Sequence, residues 1–482
     1  MKGLKYAFLF AALSFFVLTP LALFGQNVDR SPMSPNASRP GYARRAPVPV
    51  TNVQVPSGSP VLDFPANART SRGGVAIDEN GISAWSGMAN RSSGFANSNA
   101  DSNPLNSAVM GNGNVFGLDT IDTFEGAFAA TGGPDAGVVF PYPMIGNNPA
   151  QGGTTSIPAK ITLVTLKLLN ADGSLRTTMS YDPFTNLTLQ SPVFEKALFG
   201  TGRSQVTDAV QRAEFFNMMK SNWHTELSPT IVNNITITVP RFVNVRLPNG
   251  NIVQVQNYFF GTAPNGDPFI ELFDLFFNSV YDNAVINDII AGNNTTDALN
   301  MEFYPNTFLF SIDQNGQFAN CCVLGFHTYF LDSSATPQPR WITLFASWIS
   351  PGLFGGGFQD ITPLSHEVAE SYNDPFTDTA VPVWQFPGVP ADDSVDCQGN
   401  LETGDPLEVL SDATFPVPLG HGKNIFTYHP QNEALLQWFS QGPASNAIDG
   451  TWSYPNENVL THSALPCPAS SGGGTTSSGD KD

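Results

Sequence analysis

Apolar and polar residues follow two different periods along the middle of this chain, and the periods predict a mixture of strands and helices. Strands are predicted where β-branched and aromatic residues alternate or run together, at 159–169, 234–239, 241–255, 308–312, 323–331 and 341–349. Apolar residues at helical spacing predict an amphipathic helix over 208–220 and a second helix over 269–286. This order favours an α+β fold, a mixed sheet with packed helices, over a regular βαβ alternation.

A further short helix is predicted in the C-terminal half of the chain. Thr362 can cap its start, and Pro375 ends it because the residue before a proline avoids helical geometry. His366 and Glu370 are four residues apart and project from one face, while Glu367 is offset by about a quarter turn.

The pattern HExxE in this helix resembles the way in which zincin helices present two metal ligands and a neighbouring general base. His366 and Glu370 are the predicted ligands, and Glu367 is the predicted base. Zn²⁺ is the first expectation. Because a carboxylate replaces the usual second histidine, Mn²⁺ and Ca²⁺ are alternatives that suit this site better than an HExxH site. The competing interpretation is a surface helix with two solvated glutamates and a capping histidine.

Charge in the surrounding segment favours the metal interpretation. Residues 341–422 contain twelve Asp and Glu residues and no Lys or Arg, so a bound cation would relieve their repulsion. A catalytic zinc site needs a third protein ligand. Glu402 and Asp405 are the main candidates, with Asp374 and His327 behind them. Glu402 is preferred as the direct ligand with Asp405 supporting it, although the pattern does not separate the two.

Four short motifs occur in a recognisable order: GFHTYF (325–330), SHEVAESYNDP (365–375), LETGDP (401–406) and ALLQWFS (434–440). The set resembles the exordium, or phosphate-induced, family and its bacterial relatives over roughly 320–443. The resemblance implies that His366, Glu370 and one or both of Glu402 and Asp405 form a shared acidic cluster, with His327 on a strand beside it. Members of that family are cell-wall-associated growth regulators without an assigned reaction. The chain departs from the plant pattern at Pro406 and through its long, different N-terminal half.

The N-terminal residues indicate export. Two lysines precede an apolar run, which predicts a signal peptide over 1–25. A Pro-, Ser-, Asn- and Gly-rich stretch at 26–116 and a Ser- and Gly-rich stretch at 470–482 predict a disordered leader and tail. The 117–469 region is expected to form one large domain. The location is therefore expected to be extracytoplasmic, either periplasmic or extracellular, without membrane insertion after signal cleavage.

Composition adds two constraints. With 41 Asp and Glu against 21 Lys and Arg, the formal charge is −20, which argues against nucleic acid and anionic membranes as partners. The four cysteines allow three disulfide pairings in an oxidising compartment. Cys321 and Cys322 are expected to bond separately to Cys397 and Cys467, rather than to each other.

Together these features predict a secreted metal-dependent hydrolase, in particular a zincin-like peptidase acting on a peptide or a cell-surface polymer. The alternative is a non-catalytic extracellular recognition protein of exordium type whose metal site is structural or vestigial. The two hypotheses differ at Glu367, since only catalysis needs a base there.

Overall fold

The computed structural model describes residues 120–467, except 333–338, 355–356, 378, 388–396, 409, 422–423 and 443–446. It also describes four short pieces, 51–52, 60–64, 82–85 and 111–112, each of which contains a strand within the predicted 26–116 leader. The predicted signal peptide at 1–25 and the predicted tail at 470–482 lie outside the described residues.

A seven-stranded mixed sheet forms the centre of the described chain. Its strands are β3 (Ile82–Trp85), β7 (Thr154–Leu169), β8 (Leu175–Ser180), β11 (His224–Val239), β16 (Leu299–Pro305), β19 (Gly325–Asp332) and β20 (Arg340–Trp348). The order is β11-β7-β16-β20-β19-β3, with β8 also paired to β7. The first four of these run parallel, whereas β8, β19 and β3 pair antiparallel. Parallel strands are usually covered on both faces, and every residue of β16 is buried.

Two helices cover opposite faces of this sheet. Helix α4 (Thr362–Asn373) packs Val368 into one apolar cluster together with Leu344 of β20. Helix α3 (Asp274–Ile290) packs Phe277 against Phe345 of the same strand, with ring centroids 4.6 Å apart. Neighbouring residues of a strand point to opposite faces, so adjacent positions on β20 hold the two helices. Full burial of one such side chain contributes about 1.5–3 kcal/mol.

Smaller sheets surround the centre. They are β1 (Thr51–Asn52), β13 (Ile252–Gln256), β12 (Phe242–Arg246) and β2 (Val61–Asp63); β14 (Tyr258–Thr262), β15 (Pro268–Phe273), β17 (Thr307–Ile312) and β18 (Phe318–Val323); and β4 (Gly111–Asn112), β5 (Thr123–Ala129) and β6 (Val139–Ile145). Two-stranded ribbons pair β9 (Ala197–Phe199) with β10 (Gly202–Ser204), β21 (Ala380–Gln385) with β22 (Cys397–Asn400), β23 (Val417–His421) with β24 (Asn424–Tyr428), and β25 (Glu433–Ala434) with β26 (Ser453–Tyr454). The other helices of the described residues are α1 (Asp182–Leu189), α2 (Val206–Glu214), α5 (Leu436–Phe439) and two 3₁₀ turns, Asp405–Leu407 and Ile448–Gly450.

The α+β class is confirmed, and each predicted strand region contains a strand. Two helix predictions were wrong in detail. The first part of the predicted 269–286 helix is strand β15, because its apolar residues pair between β14 and β17, and the helix starts only at Asp274. The predicted 208–220 helix starts at Val206 and ends at Glu214, and all residues of α2 are buried, so the polar face of this amphipathic helix lies in the interior. Its polar side chains bond inward; Gln211, for example, donates to the Ile145 carbonyl oxygen.

The predicted disulfide pairing was also wrong. Cys321 bonds to its neighbour Cys322 on β18, and Cys397 bonds to Cys467. The β18 pair is buried in an apolar cluster, whereas Cys397 lies on the β21–β22 ribbon with its Cα 6.1 Å from that of Cys467. The two disulfides indicate an oxidising, extracytoplasmic setting. Within the described part of the chain, no helix has the length and apolar character needed to cross a bilayer.

Candidate metal centre

Helix α4 carries the predicted site residues into the interior. Every residue of the helix is buried, including His366, Glu367 and Glu370. Their burial rules out the solvated surface helix as a description of this segment. The predicted capping role of Thr362 was wrong. The cap position is Ile361, and the Thr362 hydroxyl instead lies within hydrogen-bond distance of the carbonyl oxygens of Gln359 and His429.

Three carboxylates surround His366. Its Nε2 lies 3.1 Å from Glu370 Oε2 and 3.6 Å from Asp405 Oδ1, and its Nδ1 lies 3.8 Å from Glu408 Oε1. Nitrogen or oxygen ligands about 2.0–2.2 Å from a tetrahedral zinc ion lie about 3.4 Å from one another. The 3.6 Å separation of Nε2 from Asp405 is close to this spacing, whereas the 3.1 Å separation from Glu370 is also that of a hydrogen bond. His366, Asp405 and Glu408 together offer atoms close enough to one another to hold a cation.

His327 approaches the same cluster from strand β19 and lies close to Glu367 and Glu370. It projects from β19 and is fully buried, with Nδ1 3.4 Å from Glu367 Oε2 and 3.6 Å from Glu370 Oε2. Its Nε2 donates a hydrogen bond to the Asp374 carbonyl oxygen at 3.1 Å, and lies 4.0 Å from Glu402 Oε2. A ring nitrogen that donates to a backbone carbonyl, with the other nitrogen turned inward, is typical of a metal-binding histidine.

The LETGDP segment closes over the helix through Gly404. Its N–H donates to Glu370 Oε1 at 3.1 Å, and its carbonyl oxygen accepts from Gln431 Nε2 at 2.7 Å. A Cβ atom at this position would lie only 2.4 Å from His366 Nδ1. Asp405, the next residue, accepts at Oδ2 from Gln398 Nε2 at 2.9 Å, which orients its other oxygen towards His366.

A second glycine makes room for Glu367. A Cβ atom on Gly325, at the start of β19, would lie 2.6 Å from Glu367 Oε1. The glycines of GFHTYF and LETGDP therefore serve the same purpose, since each lets the backbone approach a polar side chain of α4 closely.

A small pocket opens onto one part of this cluster. His366, Glu367, Asp405 and Glu408 belong to its lining, and its volume is about 20 Å³, room for about one water molecule. Among the described lining residues, His327, Glu370 and Glu402 do not appear. The site thus has a part that faces the pocket and a deeper part behind it. A larger pocket of about 220 Å³ lies at Arg176 and Arg241 and includes none of these residues.

The carboxylates perturb both histidines. Burial by itself lowers the pKa of a histidine, yet Glu370 and Glu367 raise the pKa of His366 well above its ordinary value. The pKa of His327 is also raised, since contact with Glu367 and the charge of Glu370 outweigh burial. The carboxylates thus stabilise positive charge at this position, either as a proton on the ring or as a bound cation, and a ring that binds a cation is itself neutral.

Sequence reasoning missed two acidic residues of this cluster. Glu408 lies one turn after Asp405 and contacts the ring of His366, and only its D-x-x-E spacing hinted at this. Glu433, on β25, is buried, and burial together with Glu370 and Glu367 raises its pKa well above the ordinary value. Its only sequence signal is its position next to the ALLQWFS motif.

Of the two candidate third ligands, Asp405 rather than Glu402 lies within ligand separation of His366. Glu402 instead lies beside His327. Another group that could hold a cation, Asp208, His224 and Glu226, is already paired within itself and with Lys196. No family model, curated protein or solved structure matches the chain.

Proposed function

We propose that the protein is a secreted metal-dependent hydrolase of the peptidase class. The observation that carries the proposal is the position of His366 Nε2, which lies 3.1 Å from Glu370 and 3.6 Å from Asp405 beside a pocket lined by Glu367. Two separate segments of the chain converge there, as in catalytic sites that use three protein ligands and one open position. The proposal includes export from the cell and a peptide or a cell-surface polymer as the substrate. It also includes the resemblance to the exordium family.

His366, Glu370 and Asp405 would hold the cation. Zn²⁺ is the first candidate, and Mn²⁺ or Ca²⁺ also suits a set with two carboxylates. When bound, such a cation lowers the pKa of water and polarises a carbonyl group. Gln398 and the Gly404 N–H orient the two carboxylates, so the site is held in place from behind.

In this proposal Glu367 transfers a proton from the attacking water to the leaving amine. Its Oε1 lies 4.0 Å from His366 Nε2, and the residue lines the pocket where a single water fits. Glu367 takes a proton from that water as its oxygen adds to the carbonyl carbon. The same proton then passes to the leaving amine as the carbon–nitrogen bond breaks, so Glu367 returns to its starting state.

Glu367→Gln tests this assignment. The variant should lose about 10²–10⁴-fold in peptide hydrolysis, because it removes the base, while it stays folded and keeps the cation at His366. Glu195→Gln, at an exposed glutamate, is the matched control and should be fully active. The assay uses a library of quenched fluorescent peptides, with activity removed by chelator and restored by Zn²⁺ or Mn²⁺. If activity survives in Glu367→Gln, or if chelator has no effect, the proposal fails.

The narrow pocket favours a second candidate function. With room for about one water and all ligands buried, the same centre could stabilise a non-catalytic recognition protein of the cell surface. In that case wild type would cleave no peptide, and chelator would lower the melting temperature without abolishing a reaction. Peptide cleavage and melting temperature of the wild type, each measured with and without chelator, therefore separate the two functions.

A further inference from the structure

The histidine–carboxylate pairs of the described residues range from 2.7 to 4.0 Å. His224 and Asp208 are 2.7 Å apart, as are His429 and Asp360, and both pairs are ordinary charge-assisted hydrogen bonds. His327 Nδ1, by contrast, lies 3.4 Å from Glu367. This separation exceeds that of a charge-assisted hydrogen bond, about 2.7–2.9 Å, and equals that of two ligands around one cation.

The hydrogen bonding of His327 gives an independent reason. Because Nε2 donates to the Asp374 carbonyl oxygen, Nδ1 of the neutral ring is an acceptor. It is turned towards two other acceptors, Glu367 Oε2 and Glu370 Oε2. Among the described residues, neither His327 Nδ1 nor Glu367 Oε2 has a hydrogen-bond partner, although both atoms are fully buried. Converging buried acceptors repel one another unless a positive charge, either a proton on the ring or a bound cation, lies between them.

Charge balance points the same way. Five carboxylates lie within 4.0 Å of a ring nitrogen of His327 or His366, namely Glu367, Glu370, Glu402, Asp405 and Glu408. With both histidines neutral, as ligands are, one divalent cation leaves most of this negative charge uncompensated in a buried site. Two divalent cations bring the cluster close to neutrality.

We infer that His327, Glu367 and Glu370 form a second divalent-cation site behind the pocket, so that the centre binds two cations bridged by Glu370. The bridging atom is Glu370 Oε2, which lies 3.1 Å from His366 Nε2 and 3.6 Å from His327 Nδ1. One nitrogen and two carboxylate oxygens suit Zn²⁺ or Mn²⁺. Glu367 would offer Oε2 to the deeper cation, since that atom lies 3.4 Å from His327 Nδ1, whereas its Oε1 lies 4.0 Å from His366 Nε2. The inference rests on the proposed function only in taking the His366 cation as present.

Metal stoichiometry tests the inference. The full-length protein, purified without chelator and equilibrated with Zn²⁺ or Mn²⁺, should hold about two equivalents by elemental analysis. His327→Gln should fall to about one, and His366→Gln should keep the deeper cation and lose the other. His462→Gln, at an exposed histidine, is the matched control and should keep both. One equivalent in both wild type and His327→Gln overturns the second site and leaves the proposed function standing. No metal in wild type removes both.

The side chain of His327 is fully buried, so His327→Gln could fail to fold, and a measurement on the wild type covers that case. Crystals of the metal-loaded protein, measured at the absorption edge of the metal, should show two anomalous peaks about 3.5–4 Å apart, as in two-metal centres. The deeper peak should lie against His327 Nδ1. A single peak at His366 contradicts the inference.

Discussion

Gly404→Ala places a methyl group against a predicted metal ligand. The added Cβ would lie 2.4 Å from Nδ1 and 2.6 Å from Cε1 of His366, whereas ordinary contacts begin near 3.4 Å. The ring or the LETGDP backbone must therefore move by about 1 Å. The backbone N–H of Gly404 also holds Glu370, so movement of the loop disturbs a second ligand. We expect metal affinity to fall about 10–100-fold, the usual effect of disturbing the groups that orient metal ligands, and peptide hydrolysis to fall about 10²-fold.

Gly399→Ala is the matched control. Its Cβ would make only ordinary contacts, 3.6 Å from Val383 Cγ2 and 3.9 Å from the Val381 carbonyl oxygen. Both variants lose the flexibility of a glycine, so the comparison isolates the contact with His366. Affinity is measured by competition with a chromophoric chelator, and folding by circular dichroism. If Gly404→Ala is folded and binds the cation as tightly as Gly399→Ala does, His366 is not a ligand.

Two further predictions concern stability. Burial raises the pKa of Glu214 from 4.5 to about 8, so the unfolded chain loses this proton first and stability falls by up to about 1.4 kcal/mol per pH unit between those values. The glutamine of Glu214→Gln cannot ionise. Between about pH 5 and about pH 8 the free energy of unfolding of this variant, measured with denaturant, should therefore rise by on the order of 4 kcal/mol relative to that of wild type. If the free energies of unfolding of the two proteins change with pH in parallel, the raised pKa of Glu214 is contradicted. Replacing Cys397 and Cys467 together by Ser opens a loop with a sequence separation of 70 and should cost about 4 kcal/mol. Gln398, which orients Asp405, follows Cys397 directly, so the affinity of this variant for the cation should fall as well. If wild type and variant bind the cation equally tightly, the disulfide does not support the metal site.

The parts of the molecule that sequence predicted are those encoded locally. Helix α4 ends at Asn373, close to Pro375, as its sequence indicated, and the β-branched run of β7 forms a strand. The helix prediction for 269–286 was wrong over its first part because a short apolar segment fits a buried strand as well as a helix. The pairing of this segment with β17 decides between the two.

The site residues that sequence predicted are likewise those placed by local geometry. The spacing of His366 and Glu370 follows from helix geometry, so sequence could place both residues on one face. The contact of Glu408 with His366 depends on the 3₁₀ turn of Asp405–Leu407, and the position of Glu433 depends on pairing with Tyr454. Long-range contacts of this kind have no local signature. The same holds for Cys397 and Cys467, whose proximity only the fold establishes.

The candidate centre takes its side chains from strand β19, helix α4 and the 402–408 segment, which lie far apart in the sequence. An unfolded chain cannot hold these groups together, so a cation would bind the native state alone. Each tenfold excess of free cation over its dissociation constant then adds about 1.4 kcal/mol to the free energy of unfolding. The supply of metal in the extracytoplasmic compartment would therefore set how long this protein survives the proteases around it.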